Sequence, residues 1–300
     1  MINNEKRNTK IAALKNPFAI MPDKDLPATK ISDVRKLNTS AYKFMYTRDP
    51  YARLLSFYFD KLVAPVPYHW KVVGAEITRQ RPGKKPLPLH ACGHDVTFPE
   101  FIKYAIKTLK SGKSDPHWTP METLCNPCEV NYTFIGKLED FRESSLFMTR
   151  KLRMDKMVEF LQINGTESYN NDAILDKVRQ PFTLKRQYQR CMTFKDAVAR
   201  TWYTLQTRGM IGNDPPPSIE TVNTWEKLFE RAKESKENTP KSVRKKMKTD
   251  TYREYWAQIS LSDLQELRTL YARDFEIFSY EKSPSAVFQG RETEEINKST

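Results

Sequence analysis

Two stretches of the chain carry the pattern of a buried strand that is followed directly by a helix. The first, "YKFMYT" (42–47), is largely aromatic and apolar, and its helix extends to about Leu62 before "VAPVP" ends it. The second, "EVNYTFIG" (129–136), has alternating apolar positions and precedes a helix over about 139–154. Two such units in one chain favour an α/β fold with a largely parallel sheet.

The remainder of the chain is predicted to be mostly helical. Residues 1–31 lack a sustained period and are interpreted as an irregular segment, and residues 32–280 as one domain. Within this domain, about 205–258 predicts a helical, charge-rich insertion, which makes the C-terminal half helix-rich. Residues 281–300 are interpreted as a disordered tail.

The net charge of the chain predicts the sign of the partner's charge but not the partner's chemical class. The formal net charge is +13, from 50 Lys and Arg against 37 Asp and Glu, and such an excess favours polyanions such as nucleic acid, anionic membrane, acidic glycan or a phosphorylated cofactor. Part of it lies in "KSVRKKMK" (241–248), where a solvated surface is the more common explanation. No apolar run reaches the length of a membrane span, and "MINNEKRNTK" is no signal peptide.

The cysteines leave two interpretations open. An even set of four is compatible with two disulfides or with a metal site. The four are Cys92, Cys125, Cys128 and Cys191. Four N-x-S/T sequons, which mildly favour a secretory lumen, occur at Asn38, Asn131, Asn164 and Asn297.

The junction between the first strand and its helix predicts a phosphate site. Asp49 and Pro50 have the residue types of an N-cap and a first helical position, so Arg48 stands at the carboxyl end of the strand. Ligands of α/β sheets bind at this end, where helix N-termini present free N–H groups. Ser56 follows two turns later, and a guanidinium with a hydroxyl can hold a phosphate. The alternative is a capped helix on which Arg48 and Asp49 merely pair at the surface.

Four blocks of the sequence resemble one family in the correct order. "TRDPYARLLSFYFDKL" resembles the 3′-phosphate-binding motif of the Golgi carbohydrate sulfotransferases, which include the HNK-1 and the chondroitin and dermatan 4-O-sulfotransferases. "VTFPEFIKYAI", "DPHWTPMETLCNPCEVNYTFIGKLEDF" and "YARDFEIFSY" are similar to further blocks of that family. The resemblance covers roughly 32–160 and, briefly, 260–280.

The resemblance implies a fold, a reaction and a set of residues. It implies a sulfotransferase-like parallel sheet, related to that of P-loop NTPases and flanked by helices. It implies an EC 2.8.2 type enzyme in the Golgi lumen. This enzyme would transfer a sulfuryl group, without a metal, from the donor 3′-phosphoadenosine 5′-phosphosulfate to a glycan hydroxyl. The acceptor would be chondroitin, dermatan or a related N-acetylgalactosamine- or glucuronate-containing glycan. Arg48 and Ser56 would hold the 3′-phosphate of this donor, and His117 would be the general base. Arg53 would pair with a carboxylate near the strand end.

One part of the family pattern is not found in the sequence. The family has an upstream loop around a Cys-Thr/Ser-Asn-Trp-Lys core that binds the 5′-phosphosulfate, and nothing in 1–42 matches it. The N-terminal membrane anchor of the family is not found either. The sequence therefore predicts weak donor binding and little or no sulfate transfer by residues 1–300, and it leaves open a catalytically inactive relative that only binds glycans.

A different class of protein is the remaining alternative. A zinc site could be formed from residues whose side chains are common zinc ligands, since a C-x-H with a C-x-x-C supplies four of them. They are Cys92, His94, His117, Cys125 and Cys128. A zinc-stabilised, basic module of this kind would bind nucleic acid, whereas the sulfotransferase interpretation expects no nucleic-acid partner and cysteines oxidised to disulfides. Bound zinc with reduced thiols would favour the module.

Overall fold

The computed structural model describes residues 42–82, 92–163, 165–289 and 291. The described residues fall into two compact units. The smaller unit contains 42–46 and 126–176, and the larger contains 47–125 and the chain from 177 onward. The predicted irregular segment 1–31 lies outside the described residues.

Helices dominate both units, and short strands occur at the two predicted strand positions. In chain order the elements are β1 Phe44–Thr47, α1 Pro50–Phe57, α2 Pro67–His69, α3 Ala75–Arg79, α4 Phe98–Lys110, α5 Met121–Cys125, β2 Phe134–Lys137, α6 Phe141–Lys151, α7 Asp155–Ile163, α8 Gly165–Thr183, α9 Lys185–Tyr188, α10 Phe194–Thr207, α11 Trp225–Asn238, α12 Lys241–Ala257, α13 Leu261–Leu270, α14 Ala272–Ile277 and α15 Ser285–Phe288. Wider π-type turns continue α1 over Tyr58–Val63 and join α2 to α3 over Trp70–Gly74.

The small parallel sheet confirms the predicted α/β class with a helix-rich C-terminal half. In the described part of the chain it consists of β1 and β2, and the backbone N–H of Thr133 donates to the carbonyl of Lys43 at 2.7 Å just before the strands pair. The second strand begins later than predicted. β2 covers Phe134–Lys137 and not 129–136.

Local backbone chemistry explains the shift of the second strand. Asn126 has a positive φ of 45°, and its carbonyl accepts hydrogen bonds from the N–H groups of Glu129 and Val130 at 3.0 and 2.9 Å. This turn uses the backbone groups that a strand would need for its ladder. Gly136 lies inside β2. A Cβ at this position would approach the Tyr46 ring to 2.7 Å, so the glycine leaves room for that ring.

The larger unit has an aromatic core that brings its sequence-distant helices together. Its members include Tyr51, Leu54 and Phe57 of α1, Phe98 and Phe101 of α4, Trp118, Trp256, Tyr271 and Phe275. The start of α4 follows the capping-box spacing of its sequence, since Thr97 accepts from the N–H of Glu100 and the Glu100 carboxylate accepts from the N–H of Thr97. Burial of these rings fixes α1 against α4 and the C-terminal helices.

The C-terminal segment differs from the predicted disordered tail over its first residues. Ser285–Phe288 form α15, and Val287 and Phe288 are buried in the core of the larger unit. Arg291 donates to the carbonyl of Ile259 at 2.6 Å. Residues 290 and 292–300 lie outside the described residues, and in the part that is described no helix has both the length and the hydrophobicity to cross a membrane.

Candidate active site

The junction of β1 and α1 has the predicted capped geometry. β1 ends at Thr47, and the Asp49 carboxylate accepts a hydrogen bond from the N–H of Ala52 at 2.7 Å as the N-cap of α1. Pro50 is the first helical residue, and the first turn of α1 carries no acidic side chain. Arg48 lies half-exposed beside this electropositive helix end. The predicted strand end and helix start are confirmed.

Ser56 lies in the second turn of α1. Its side chain is half-buried between the buried Leu55 and Phe57. Within the described residues its hydroxyl makes no hydrogen bond, although a helical serine commonly bonds the carbonyl four residues earlier. The hydroxyl is thus available to donate to a ligand, and a guanidinium with a hydroxyl at one helix fits a phosphate. The assignment of Arg48 and Ser56 to the 3′-phosphate stays a prediction.

Arg53 has partners other than the carboxylate that the sequence predicted. Its Nη1 donates to the carbonyl of Thr119 at 2.7 Å, and its Nη2 donates to the carbonyl of Pro116 at 2.6 Å. Burial lowers the pKa of Arg53, while the nearby Tyr271 and Asp274 oppose this effect. The guanidinium therefore ties α1 to the segment 113–120, "KSDPHWTP", which we call the His-Trp loop.

Two buried residues of the C-terminal motif hold the other side of the His-Trp loop. The Tyr271 hydroxyl donates to the carbonyl of Trp118. The Asp274 carboxylate accepts hydrogen bonds from the N–H groups of Met121 and Glu122, both at 2.8 Å, where α5 begins. Burial raises the pKa of Asp274, and these two N–H groups oppose the rise. The loop is consequently fixed by side chains that come from two remote parts of the larger unit.

His117 is presented by this loop as half of an aspartate–histidine pair. Its Nδ1 lies 2.6 Å from Oδ1 of Asp115, and the same oxygen accepts the backbone N–H of His117 at 2.8 Å. Because an ionised carboxylate can only accept, Nδ1 carries the hydrogen, and in the neutral form of the ring the lone pair is then on Nε2. The side chain is 46% exposed, so Nε2 can reach a substrate. This is the tautomer that a general base needs.

A second histidine, which the sequence did not indicate, lies against His117. The ring centroids of His69 and His117 are 5.5 Å apart, and the Phe57 ring contacts both at 5.7 and 5.2 Å. Phe57 directly follows Ser56, so α1 links the predicted phosphate ligands to the two histidines. The Asp-x-His spacing of the loop could have indicated Asp115, but His69 comes from a separate segment and has no local signal.

The cysteines confirm one of the two expected disulfides and weaken the zinc interpretation. Cys92 and Cys191 are joined by a disulfide across a sequence separation of 99. Cys92 therefore has no thiolate to offer to a zinc ion. Cys125 and Cys128 remain thiols, which corrects the expectation that all four are oxidised. Burial raises the pKa of the Cys125 thiol, which Arg53 opposes.

The His94 imidazole, one of the two histidines of the zinc alternative, contacts the Trp70 ring with a centroid distance of 5.8 Å. Its Nδ1 is buried without a hydrogen bond from any described residue. Among the residues that the structure describes, no group of three or more His, Cys, Asp or Glu side chains is arranged to hold a metal ion.

Comparison with known proteins assigns the chain to a family. Residues 2–202 match the model of the sulfotransferase family. This chain belongs to the sulfotransferase family. The match includes Arg48, Ser56 and His117, and it begins well upstream of residue 32, where the resemblance of individual motifs starts.

Similar curated proteins are carbohydrate sulfotransferases. Carbohydrate sulfotransferase 14 of Mus musculus is 42% identical over 99 residues, which are 33% of this sulfotransferase and 25% of that protein. Carbohydrate sulfotransferase 9 of Homo sapiens is 33% identical over 146 residues, 48% of this chain and 32% of that protein. Carbohydrate sulfotransferase 8 of Homo sapiens is 27% identical over 152 residues, which are 51% of this chain and 36% of that protein.

The sulfotransferase thus spans about a quarter to a third of the length of these three relatives. No solved structure matches the chain.

Proposed function

We propose that this sulfotransferase is a carbohydrate sulfotransferase of the Golgi lumen. It transfers a sulfuryl group from 3′-phosphoadenosine 5′-phosphosulfate to a glycan hydroxyl, with chondroitin, dermatan or a related N-acetylgalactosamine- or glucuronate-containing chain as acceptor. The observation that carries the proposal is the family match over residues 2–202. The names of the curated relatives support a carbohydrate acceptor, and the order of the four motif blocks supports the Golgi assignment.

Arg48 and Ser56 bind the 3′-phosphate of the donor in this proposal. The guanidinium supplies charge and paired N–H donors, and the Ser56 hydroxyl supplies a further donor. The capped N-terminus of α1 favours an anion at the same place. These contacts position the donor and do not themselves take part in the transfer.

His117 removes the proton of the acceptor hydroxyl. The acceptor oxygen forms a bond to sulfur as the bond between sulfur and the 5′-phosphate oxygen breaks, and the proton moves to Nε2 of His117. The products are the sulfated glycan and 3′-phosphoadenosine 5′-phosphate. Asp115, which accepts from Nδ1 of the same ring at 2.6 Å, stabilises the imidazolium that results.

A transfer assay tests the proposal directly. Radiolabelled donor is incubated with desulfated chondroitin and desulfated dermatan, and label in the polymer is measured for the parent chain and for His117→Asn. We expect incorporation by the parent to be low and to fall further in His117→Asn, by up to about two to four decades, the range of general-base catalysis. Equal incorporation by the two proteins would remove His117 from its role, and binding of donor product with no incorporation into either glycan would favour the inactive glycan-binding alternative.

A further inference from the structure

The contact between His69 and His117 is close, and the two rings are almost perpendicular. Their centroids lie 5.5 Å apart with an angle of 88° between the ring planes. His69 is the last residue of the short helix α2, and the rings of Phe57 and Tyr68 contact it at 5.7 and 5.0 Å. His117 is thus held by a hydrogen bond to Asp115 and by ring contacts with His69 and Phe57.

The surroundings of His69 disfavour a charged ring. Protonation places a hydrogen on both ring nitrogens, but Nδ1 of His69 is buried and has no hydrogen-bond partner among the residues that the structure describes. A charged N–H without an acceptor is costly to bury. Burial, together with Lys61 and His117, lowers the pKa of His69 to about 4, while Asp115 opposes the change.

We propose that His69 is a positioning residue for His117. The uncharged ring of His69 holds the imidazole of His117 against Asp115, so that the proton taken from the acceptor resides on His117 alone. The role rests on the proposed function, because it concerns the same general base. It is separate from donor binding by Arg48 and Ser56. His69 itself neither takes nor gives the proton in this arrangement.

The location of the proton can be measured without any turnover. The sulfotransferase has four histidines, so ¹⁵N-histidine labelling of the intact chain gives few signals, and loss of a signal in His69→Phe and in His117→Asn assigns the two rings. We expect the His69 signal to remain that of a neutral ring down to about pH 5 and to titrate near the value of about 4. In His117→Asn the pKa of His69 should rise, because the substitution removes the lowering effect of His117 on that pKa. A His69 ring that protonates near neutral pH would overturn the proposal even if the transfer reaction is confirmed.

A pair of substitutions separates ring contact from chemistry at His69. His69→Ala removes the ring, and we expect kcat to fall by about ten- to a hundred-fold from loss of orientation at the base, with unchanged affinity for 3′-phosphoadenosine 5′-phosphate. His69→Phe restores a neutral ring and should recover most of the parent kcat. His94→Ala is the matched control, since Nδ1 of His94 is likewise buried without a partner in the described part of the chain, but His94 packs on Trp70.

Each outcome bears on the proposal. Equal loss of kcat in His69→Ala and His69→Phe would contradict it, because His69 would then contribute a nitrogen and not a ring. Parent-like kcat in both variants would contradict it as well. If His69→Ala does not fold, His69→Phe and the titration of the parent chain still decide the question. If the parent chain does not bind 3′-phosphoadenosine 5′-phosphate, that result would instead count against the proposed function.

Discussion

The hydroxyl of Tyr271 donates a hydrogen bond to the backbone carbonyl of Trp118, although the two residues are 153 positions apart in the chain. Both side chains are buried, at 1% exposure each. The bond joins the C-terminal motif "YARDFEIFSY" to the residue that follows His117. A substitution in the C-terminal motif should therefore disturb the position of the proposed general base, His117.

Tyr271→Phe should destabilise the larger unit and slow the proposed transfer. The substitution leaves a buried carbonyl without its donor, which costs about 1 to 3 kcal/mol, and it loosens the loop that carries His117. Urea unfolding and the transfer assay measure the two effects. Tyr68→Phe, at a position that is 66% exposed, is the matched control. Equal stability of the two variants would show that the hydrogen bond has little net value.

Arg48→Ala should weaken binding of 3′-phosphoadenosine 5′-phosphate. Loss of a charge-assisted contact costs about 1.5 to 3 kcal/mol, or roughly one to two decades in Kd. Isothermal titration calorimetry measures it, with Arg79→Ala as control because Arg79 is exposed and pairs with Glu76 on α3. Equal affinity of Arg48→Ala and the parent would exclude Arg48 from the phosphate site.

Asp115→Asn should lower kcat by decades while donor affinity persists. The amide can donate as well as accept, so it no longer enforces the tautomer with a lone pair on Nε2 of His117. Transfer kinetics and calorimetry on the same preparation separate the two quantities. An Asp115→Asn variant with parent kcat would show that His117 does not act through this pair.

Asp60→Asn should lower the stability of the larger unit at neutral pH. The Asp60 carboxylate binds Arg208 at 2.9 Å and Lys177 at 3.4 Å. Although burial opposes the shift, these cations hold the pKa of Asp60 below its ordinary value of 3.8. Loss of the charged pairs should cost about 1 to 3 kcal/mol of unfolding free energy at pH 7.

The pH dependence of this contribution has a definite sign. Because the folded-state pKa is lowered, the unfolded chain binds more protons in acid, and the stabilisation is lost as the pH falls below about 4. The parent should therefore lose more stability in that range than Asp60→Asn does. Asp250→Asn, which removes an exposed pair with Lys246, should change little. Parallel pH profiles for parent and Asp60→Asn would refute the assignment.

Cys191→Ser should destabilise the oxidised sulfotransferase. The disulfide with Cys92 closes a loop across a sequence separation of 99, and removing such a bridge costs about 2 to 5 kcal/mol. Urea unfolding without reductant measures the loss, and Cys128→Ser, at an exposed thiol, is the control. If reductant leaves the stability of the parent unchanged, the bridge does not form in solution.

The sequence by itself determined where the helices around the candidate site begin. Asp49 and Pro50 define where α1 begins, and Thr97 with Glu100 define where α4 begins, because a cap is made by side chains within three residues of the groups they satisfy. The four ordered motif blocks likewise indicated the family that the match over 2–202 confirms.

The tertiary structure decided which distant groups meet. Arg53 bonds carbonyls of the His-Trp loop 66 and 63 positions away, and Asp274 bonds N–H groups more than 150 positions away. The contact of His69 with His117 arises in the same way. Such pairs depend on how the aromatic core folds the chain back on itself, and residues far apart in sequence carry no local pattern that specifies their partner.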